Sequence, residues 1–375
     1  MPELAEGDPE GLGFSASRLK RVRDLLKSFV GKAFPGAVLL VARRGRIVLH
    51  EAVGLAEIEP CRRTVSRDTL FDLASLTKPL ATSLIVGRLV AEGVLHLRQR
   101  VVEILPEFRN TVAGPSSYKE RVELWMLLSH SSGLPPWLPL YRYATTREGV
   151  MAEALRAFPS YEPGRQAIYS DLGFVVLTAV VERAAGERLD RLFSSLVAKP
   201  LGLKRTVFNP LRHGFSRSEI AATEVVDGEP LVGVVHDENA RAMDGVSGHA
   251  GLFSTAYEVG LLAQGLLEAY RGVSDDVLPP RYVRTMWRAW STGDRSYGLG
   301  WWVYDGRQSA AGDLATPGRC FGHTGFTGTS LWVDTELDLV VVLLTNRVHP
   351  SRGNREIARA RPLIHNAVFS SVKRV

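Results

Sequence analysis

Cysteine is scarce: 375 residues hold two, Cys61 and Cys320, far apart in the chain. Such a pair frames no disulfide scaffold, and free thiols in a reducing compartment are expected. Long hydrophobic runs are also missing, and no stretch approaches the roughly 18 apolar residues that a membrane span needs. Residues 1–14 are acidic, with glycine and proline. They lack the basic stretch and apolar core of an export signal, so a cytoplasmic protein with no membrane partner is expected. Dense charge of one sign is absent as well. The net charge is +6, but only eight of the 46 basic residues are lysine, and the arginines (Arg43, Arg62, Arg98, Arg121, Arg183, Arg281, Arg355) are scattered. That pattern reads as a generally basic surface, without a nucleic-acid patch. It is compatible with mild attraction for anionic substrates. There is no internal repeat, no G-x-S-x-G elbow, no P-loop and no G-x-G-x-x-G, so hydrolase-elbow, NTPase and dinucleotide folds lack their signatures. His130, His236 and His249 stand at no metal-ligand spacing, and neither metal nor organic cofactor is expected.

What is present is strand-like at the ends and helical in the middle. Residues 36–42 and 46–52 are apolar and β-rich with Gly45 between them, which predicts a hairpin. Residues 300–304, 329–333 and 339–345 are further strand candidates, the last two joined by a polar turn at 334–338. Apolar spacing predicts helices over 15–30, 79–94, 122–128, 150–158, 172–185, 191–197, 256–270 and 354–369. The economical architecture is α+β: an antiparallel sheet built from both chain ends, flanked by helices, with a mainly helical insertion. The expected division is 1–78 with 200–375 as the sheet unit and 79–199 as the insertion, the active site lying between. Residues 205–250 are loop-rich without a clear pattern.

Three short motifs carry chemistry. Ser75-Leu76-Thr77-Lys78 is an S-x-x-K sequence; three others occur at Ser17/Lys20, Ser116/Lys119 and Ser370/Lys373. Only Ser75 stands between an apolar lead-in (Leu70, Phe71, Leu73) and an apolar helix. At a helix start, Ser75 and Lys78 share a face, the helix's positive end favours charge developing on the serine oxygen, and the ammonium eases loss of its proton. The plainer reading is an N-cap serine with an unrelated lysine. Tyr169-Ser170-Asp171 precedes another apolar helix; a cation beside Tyr169 would let it act as a base, and Asp171 is a candidate cap. His323-Thr324-Gly325 precedes a strand. There His323 could supply a donor or positive charge, Gly325 would let a substrate backbone lie close, and the Phe326 and Ser75 N–H groups could hold an oxyanion.

These three elements, in this order, resemble the serine β-lactamase and penicillin-binding protein family, specifically its class C branch of β-lactamases, D,D-carboxypeptidases and esterases. The likeness spans roughly residues 36–346. It extends to Leu127-Leu128-Ser129-His130-Ser131-Ser132-Gly133-Leu134-Pro135, to Glu162-Pro163-Gly164 and to Gly248-His249-Ala250-Gly251. It implies Ser75 as the acylated serine, Lys78 in its proton network, Tyr169 as general base and His323 where lactamases usually carry lysine. Thr324, Gly325, Phe326 and Asp171 fall in the substrate-binding positions. Asp171 stands where asparagine is commoner, and a carboxylate cannot donate to a substrate amide. The expectation is a Ser75 acyl-enzyme acting on a small ester or peptide-like amide. The alternatives are a β-lactamase or D,D-carboxypeptidase, or a catalytically silent binding protein on the same fold. The partner in every enzymatic case is a small-molecule ester, amide or lactam.

Overall fold

A computed structural model describes residues 3–307 and 309–373; Met1 and Pro2 of the segment read for export signals fall outside them. The central sheet uses strands β1 (Ala5–Glu6), β2 (Gly36–Arg43), β3 (Arg46–Glu57), β4 (Arg63–Thr64), β5 (Ser291–Thr292), β6 (Ser296–Tyr297), β7 (Trp302–Val303), β8 (Cys320–Thr324), β9 (Ser330–Asp334) and β10 (Leu339–Thr345). Their order is β1-β3-β2-β10-β9-β8-β7-β6-β5, with β4 beside β3. All pairings are antiparallel except β1 with β3. The α+β class and the antiparallel sheet made from both chain ends are therefore as expected.

The hairpin turns on Arg44 and Gly45, at φ 53° and 73°, the left-handed pair that a two-residue turn demands. Strands β2 and β10 are apolar along their length because both faces are covered. Val38, Leu40, Val340 and Val342 face a core shared with helices α2 (Ser83–Ala91), α3 (Asp171–Ala185), α4 (Ala256–Arg271) and α5 (Pro280–Trp287). Their neighbours Leu39, Val41, Val341 and Leu343 face a second core under helices α1 (Ala16–Ser28) and α6 (Ile357–Ser371). Alternation in strand direction thus splits one hydrophobic run between two layers.

Several expected elements changed at their edges. The helix expected over 79–94 begins as a 3₁₀ turn at Ala74–Leu76, widens to a π turn at Lys78–Thr82 and becomes α-helical only at Ser83. The strand expected over 300–304 shrinks to Trp302–Val303, and the closing helix carries Pro362 inside it. Residues 205–250 hold short strands at Val207–Phe208, Val225–Val226 and Glu229–Pro230 and a helix at Glu238–Ala242. Among the described residues, no helix is long and apolar enough to cross a membrane. Both cysteines are free, Cys61 exposed and Cys320 buried under α6 in the second core.

Candidate active site

The segment carrying Ser75 is held in a strained shape. Ala74 has φ 48°, a conformation uncommon outside glycine. Buried Asp72 clamps it, accepting the Ala74 N–H at 2.9 Å and the His236 N–H at 2.7 Å. The Thr327 and Thr329 hydroxyls donate to the carbonyls of Asp72 (2.7 Å) and Leu73 (3.0 Å). A Cβ on Gly325 would lie 2.4 Å from the Leu73 carbonyl and 2.1 Å from Thr329 Oγ1. Gly325 is therefore required by the protein's own packing, while it also lines the cavity where a substrate backbone was expected to lie close.

Ser75 opens onto a cavity of about 570 Å³. Lys78, fully buried beneath it, places Nζ 3.0 Å from Ser75 Oγ, 3.0 Å from the His249 carbonyl and 2.7 Å from Asp171 Oδ1. Three acceptors match the three protons of an ammonium. Burial pushes the Lys78 pKa down, and the Asp171 carboxylate opposes that. Tyr169 hydrogen-bonds to Ser75 and stacks near Lys78, whose Nζ lies 5.0 Å from the ring centroid. Burial, then Asp171, pushes the phenol well above its ordinary value. A standing phenolate is therefore disfavoured, and Tyr169 stands as a phenol beside the Lys78 cation. The cap of α3 is Ser170, whose Oγ accepts the Gly173 N–H at 3.2 Å; Asp171 is instead the first helical residue and the partner of Lys78.

His323 lies behind the cavity wall. It is fully buried beside Trp302 (4.6 Å between centroids) and Tyr169 (5.7 Å), and only its neighbours Thr324, Gly325 and Phe326 line the cavity. Its Nδ1 lies 2.7 Å from the Thr324 carbonyl oxygen, which can only accept, so Nδ1 carries the proton. Burial, then Lys78, drives its pKa well below the ordinary value. Of the two roles considered for His323, donor or positive charge, this lowering disfavours the charge. His130 is held neutral by the same causes and accepts the Ser170 N–H at 3.0 Å, so it orders the Tyr169 segment as well as its own loop. Phe326 is half-exposed at the cavity, its ring between His236 (5.5 Å) and Arg347 (4.3 Å). Its N–H has no acceptor among the described residues.

Sequence reasoning missed Asp237, Arg295, Trp302, Arg347 and Arg361 in the cavity wall. Asp237 pairs with His249 at 2.8 Å; burial opposes its ionisation, but His249 holds its pKa well below the carboxylate range. These residues come from loops and strand ends, where no periodicity marks them; only Asp237, an N-cap ahead of Glu238–Ala242, carried a local signal. Trp137 lines the cavity, whereas Tyr143, six residues on, is 70% exposed and does not. No group of three or more His, Cys, Asp or Glu among the described residues could hold a metal ion.

The profile of the Beta-lactamase family matches residues 22–365. The chain belongs to the Beta-lactamase family. Within it, the chain is similar to a putative D-alanyl-D-alanine carboxypeptidase of Escherichia coli (strain K12), 34% identical over 93% of this chain and 86% of the relative. It is equally similar to an N-acetylmuramyl-L-alanine amidase of Bacillus subtilis (strain 168), 34% identical over 90% and 82%. Among solved structures, EstCE1, a hydrolase with promiscuous acyltransferase activity, superposes with TM-score 0.75 at 27% identity, covering 94% of this chain and 98% of that one. A penicillin-binding protein homologue from Caulobacter crescentus shares the fold at TM-score 0.73 and 19% identity, over 96% and 99%. Beta-lactamase-family homologues of this kind are serine hydrolases, and this chain is an enzyme of that class.

Proposed function

We propose that this protein hydrolyses a peptide-like amide or small ester through an acyl-enzyme on Ser75. The observation that carries the reading is the contact set at one oxygen: Ser75 Oγ has Lys78 Nζ at 3.0 Å and hydrogen-bonds Tyr169, at the floor of a cavity. As Ser75 attacks the carbonyl carbon, its proton passes to the Tyr169 oxygen while the Tyr169 proton passes to the leaving group. No free phenolate forms, in keeping with the raised phenol. Lys78 holds positive charge beneath the developing alkoxide. The Phe326 N–H, free of other acceptors, and the Ser75 N–H receive the oxyanion. Water then repeats the sequence in reverse and frees the acid. Trp137, Tyr169 and Asp171 reach the cavity from residues 79–199, and the rest of the wall comes from 1–78 and 200–375, which supports a site between an insertion and a sheet unit with these bounds.

A D,D-carboxypeptidase or amidase is the second reading, favoured by the names of the two relatives at 34% identity. Efficient β-lactam turnover is disfavoured by Asp171, a carboxylate already engaged with Lys78. The test is one rate panel with nitrophenyl esters, a D-Ala-D-Ala peptide and a chromogenic cephalosporin, each repeated with Ser75→Ala. Ester or peptide turnover falling at least about 10³-fold in the variant is expected. Turnover retained in Ser75→Ala would overturn the mechanism. No turnover, together with no labelling of Ser75 by a fluorophosphonate, would leave a binding protein.

A further inference from the structure

The loop-rich residues 236–249 meet the nucleophile segment at two points. The His236 N–H donates to Asp72, and the His249 carbonyl accepts Lys78 Nζ at 3.0 Å. Of the three acceptors around that ammonium, only the His249 carbonyl is backbone, so its place depends on how residues 247–249 are anchored. The anchoring is dense. The Gly248 N–H donates to Thr178 Oγ1 (2.8 Å), and Thr82 Oγ1 donates to the Gly248 carbonyl (2.7 Å). His249 is 1% exposed, and both ring nitrogens are engaged: Nδ1 lies 2.8 Å from Ser247 Oγ, and Nε2 lies 2.8 Å from Asp237 Oδ1. A carboxylate only accepts, so Nε2 carries a proton. The same Asp237 oxygen accepts the Ala240 N–H at 2.8 Å and caps the helix Glu238–Ala242. A cap needs only that one bond. It gives no reason for a buried imidazole strung between Asp237 and Ser247.

We propose that Asp237 and His249 are positioning residues for Lys78: the Asp237–His249–Ser247 chain fixes the carbonyl that aims the ammonium at Ser75 Oγ, and the Asp237 carboxylate adds a second negative charge to that of Asp171. An ammonium with three fixed acceptors has one orientation. With the carbonyl slack, Nζ can turn toward Asp171 and leave the serine oxygen without its cation. Asp237 also acts through its charge. Burial pushes the Lys78 pKa down, and Asp171 and then Asp237 oppose it. The titratable groups around Lys78 come from four places. Tyr169 and Asp171 lie at the start of α3, His130 in the 127–135 loop, His323 on β8, and Asp237 and His249 in the loop-rich stretch. Arg295 acts on Tyr169. Burial, then Lys78, keeps His130 and His323 neutral, which leaves Asp171 and Asp237 as the anions that favour the ammonium. The inference deepens the Ser75 reading and rests on it for the chemistry, though not for the state of Lys78.

The test has a kinetic arm and a spectroscopic one. On a short nitrophenyl ester, His249→Ala and Asp237→Asn are each expected to lower kcat at least about tenfold with KM within about twofold, and His249→Gln, whose amide can still donate to Asp237, to recover most of the loss. Unchanged kcat in both variants would overturn the proposal. So would a loss confined to KM, which would make the pair a contact of the substrate. The second arm follows Lys78 itself. The chain has eight lysines, so ¹³C-labelled lysine gives few Cε signals, and Lys78→Met identifies the one that matters. Its titration midpoint is expected at lower pH in Asp237→Asn than in wild type, because one of the two opposing anions is gone. Asparagine caps a helix as well as aspartate does, so this variant keeps the fold even if His249→Ala does not. A midpoint that moves while Ser75→Ala keeps its turnover would sink the Ser75 reading and sustain the link from Asp237 to Lys78. An unmoved midpoint with Ser75→Ala inactive would overturn this inference alone.

Discussion

Ser75-x-x-Lys78 and Ser116-x-x-Lys119 share one four-residue pattern, and both lysines are fully buried. Their surroundings differ. Lys78 meets a hydroxyl, a carbonyl and the Asp171 carboxylate at the floor of a cavity. Lys119 meets only two backbone carbonyls, Asn110 at 2.8 Å and Leu155, and lies 4.5 Å from the Phe108 ring centroid. Burial pushes Lys119 down to about 8, near the point where a neutral amine offers two N–H groups to two acceptors. Burial disfavours the charged form of both. The compensating group separates them: an anion and a nucleophile make one site reactive, while carbonyls make the other a pin between two loops.

Four experiments would sharpen or break that contrast. Lys78→Met should cut kcat/KM at least about 10³-fold in a protein whose circular dichroism is unchanged; a loss under tenfold would make Lys78 as structural as Lys119. Asp171→Asn should cost roughly ten- to a hundredfold. Asp171 raises the pKa of both Lys78 and Tyr169, so its loss should move the alkaline limb of the kcat/KM–pH profile to lower pH. A limb that stays in place would remove Asp171 from the proton network. Lys119→Met should leave turnover per folded molecule unaltered and destabilise by about 1–3 kcal/mol, because two buried carbonyls lose their donor. Its pH dependence is a second check. Between about 8 and 10.5 the unfolded chain holds the Lys119 proton and the folded one does not, so wild-type stability should rise through that window. Denaturant melts of Lys119→Met should lack the rise. Smallest, Phe108→Leu should remove the ring beneath the ammonium and cost about 1 kcal/mol in the same melts, with no change in rate.

The S-x-x-K contrast also marks what was legible in the chain. Ser75 was separable from its three look-alikes because its flanks were apolar on both sides, and Leu73, Leu76 and Leu80 are indeed core. The hairpin and the final strand pair were legible because runs such as residues 38–42 and 339–344 are apolar without interruption. The change to 3₁₀ and π geometry at Ser75 was not, since tertiary clamps impose it: Asp72, Thr327 and Thr329 act from other segments. The neutrality of His323 was hidden for a related reason. Its charge is set by burial against Trp302 and Tyr169, which no local spacing reveals. The arginines of the cavity wall were invisible because Arg347 and Arg361 look like two of many scattered arginines until the fold brings them to the Ser75 cavity.

The threonine clamps on the nucleophile have a consequence for how activity is acquired. Thr327 and Thr329 lie 255 and 256 residues from the carbonyls they hold. The reactive shape of residues 72–75 is thus set by closing a loop of about 255 residues, and such closures carry an entropic cost that local structure cannot offset early. Helices rich in near-neighbour contacts can form while the serine is still slack. Recovery of serine reactivity during refolding therefore times the meeting of the two distant parts of the chain, and a far-ultraviolet signal should return before it.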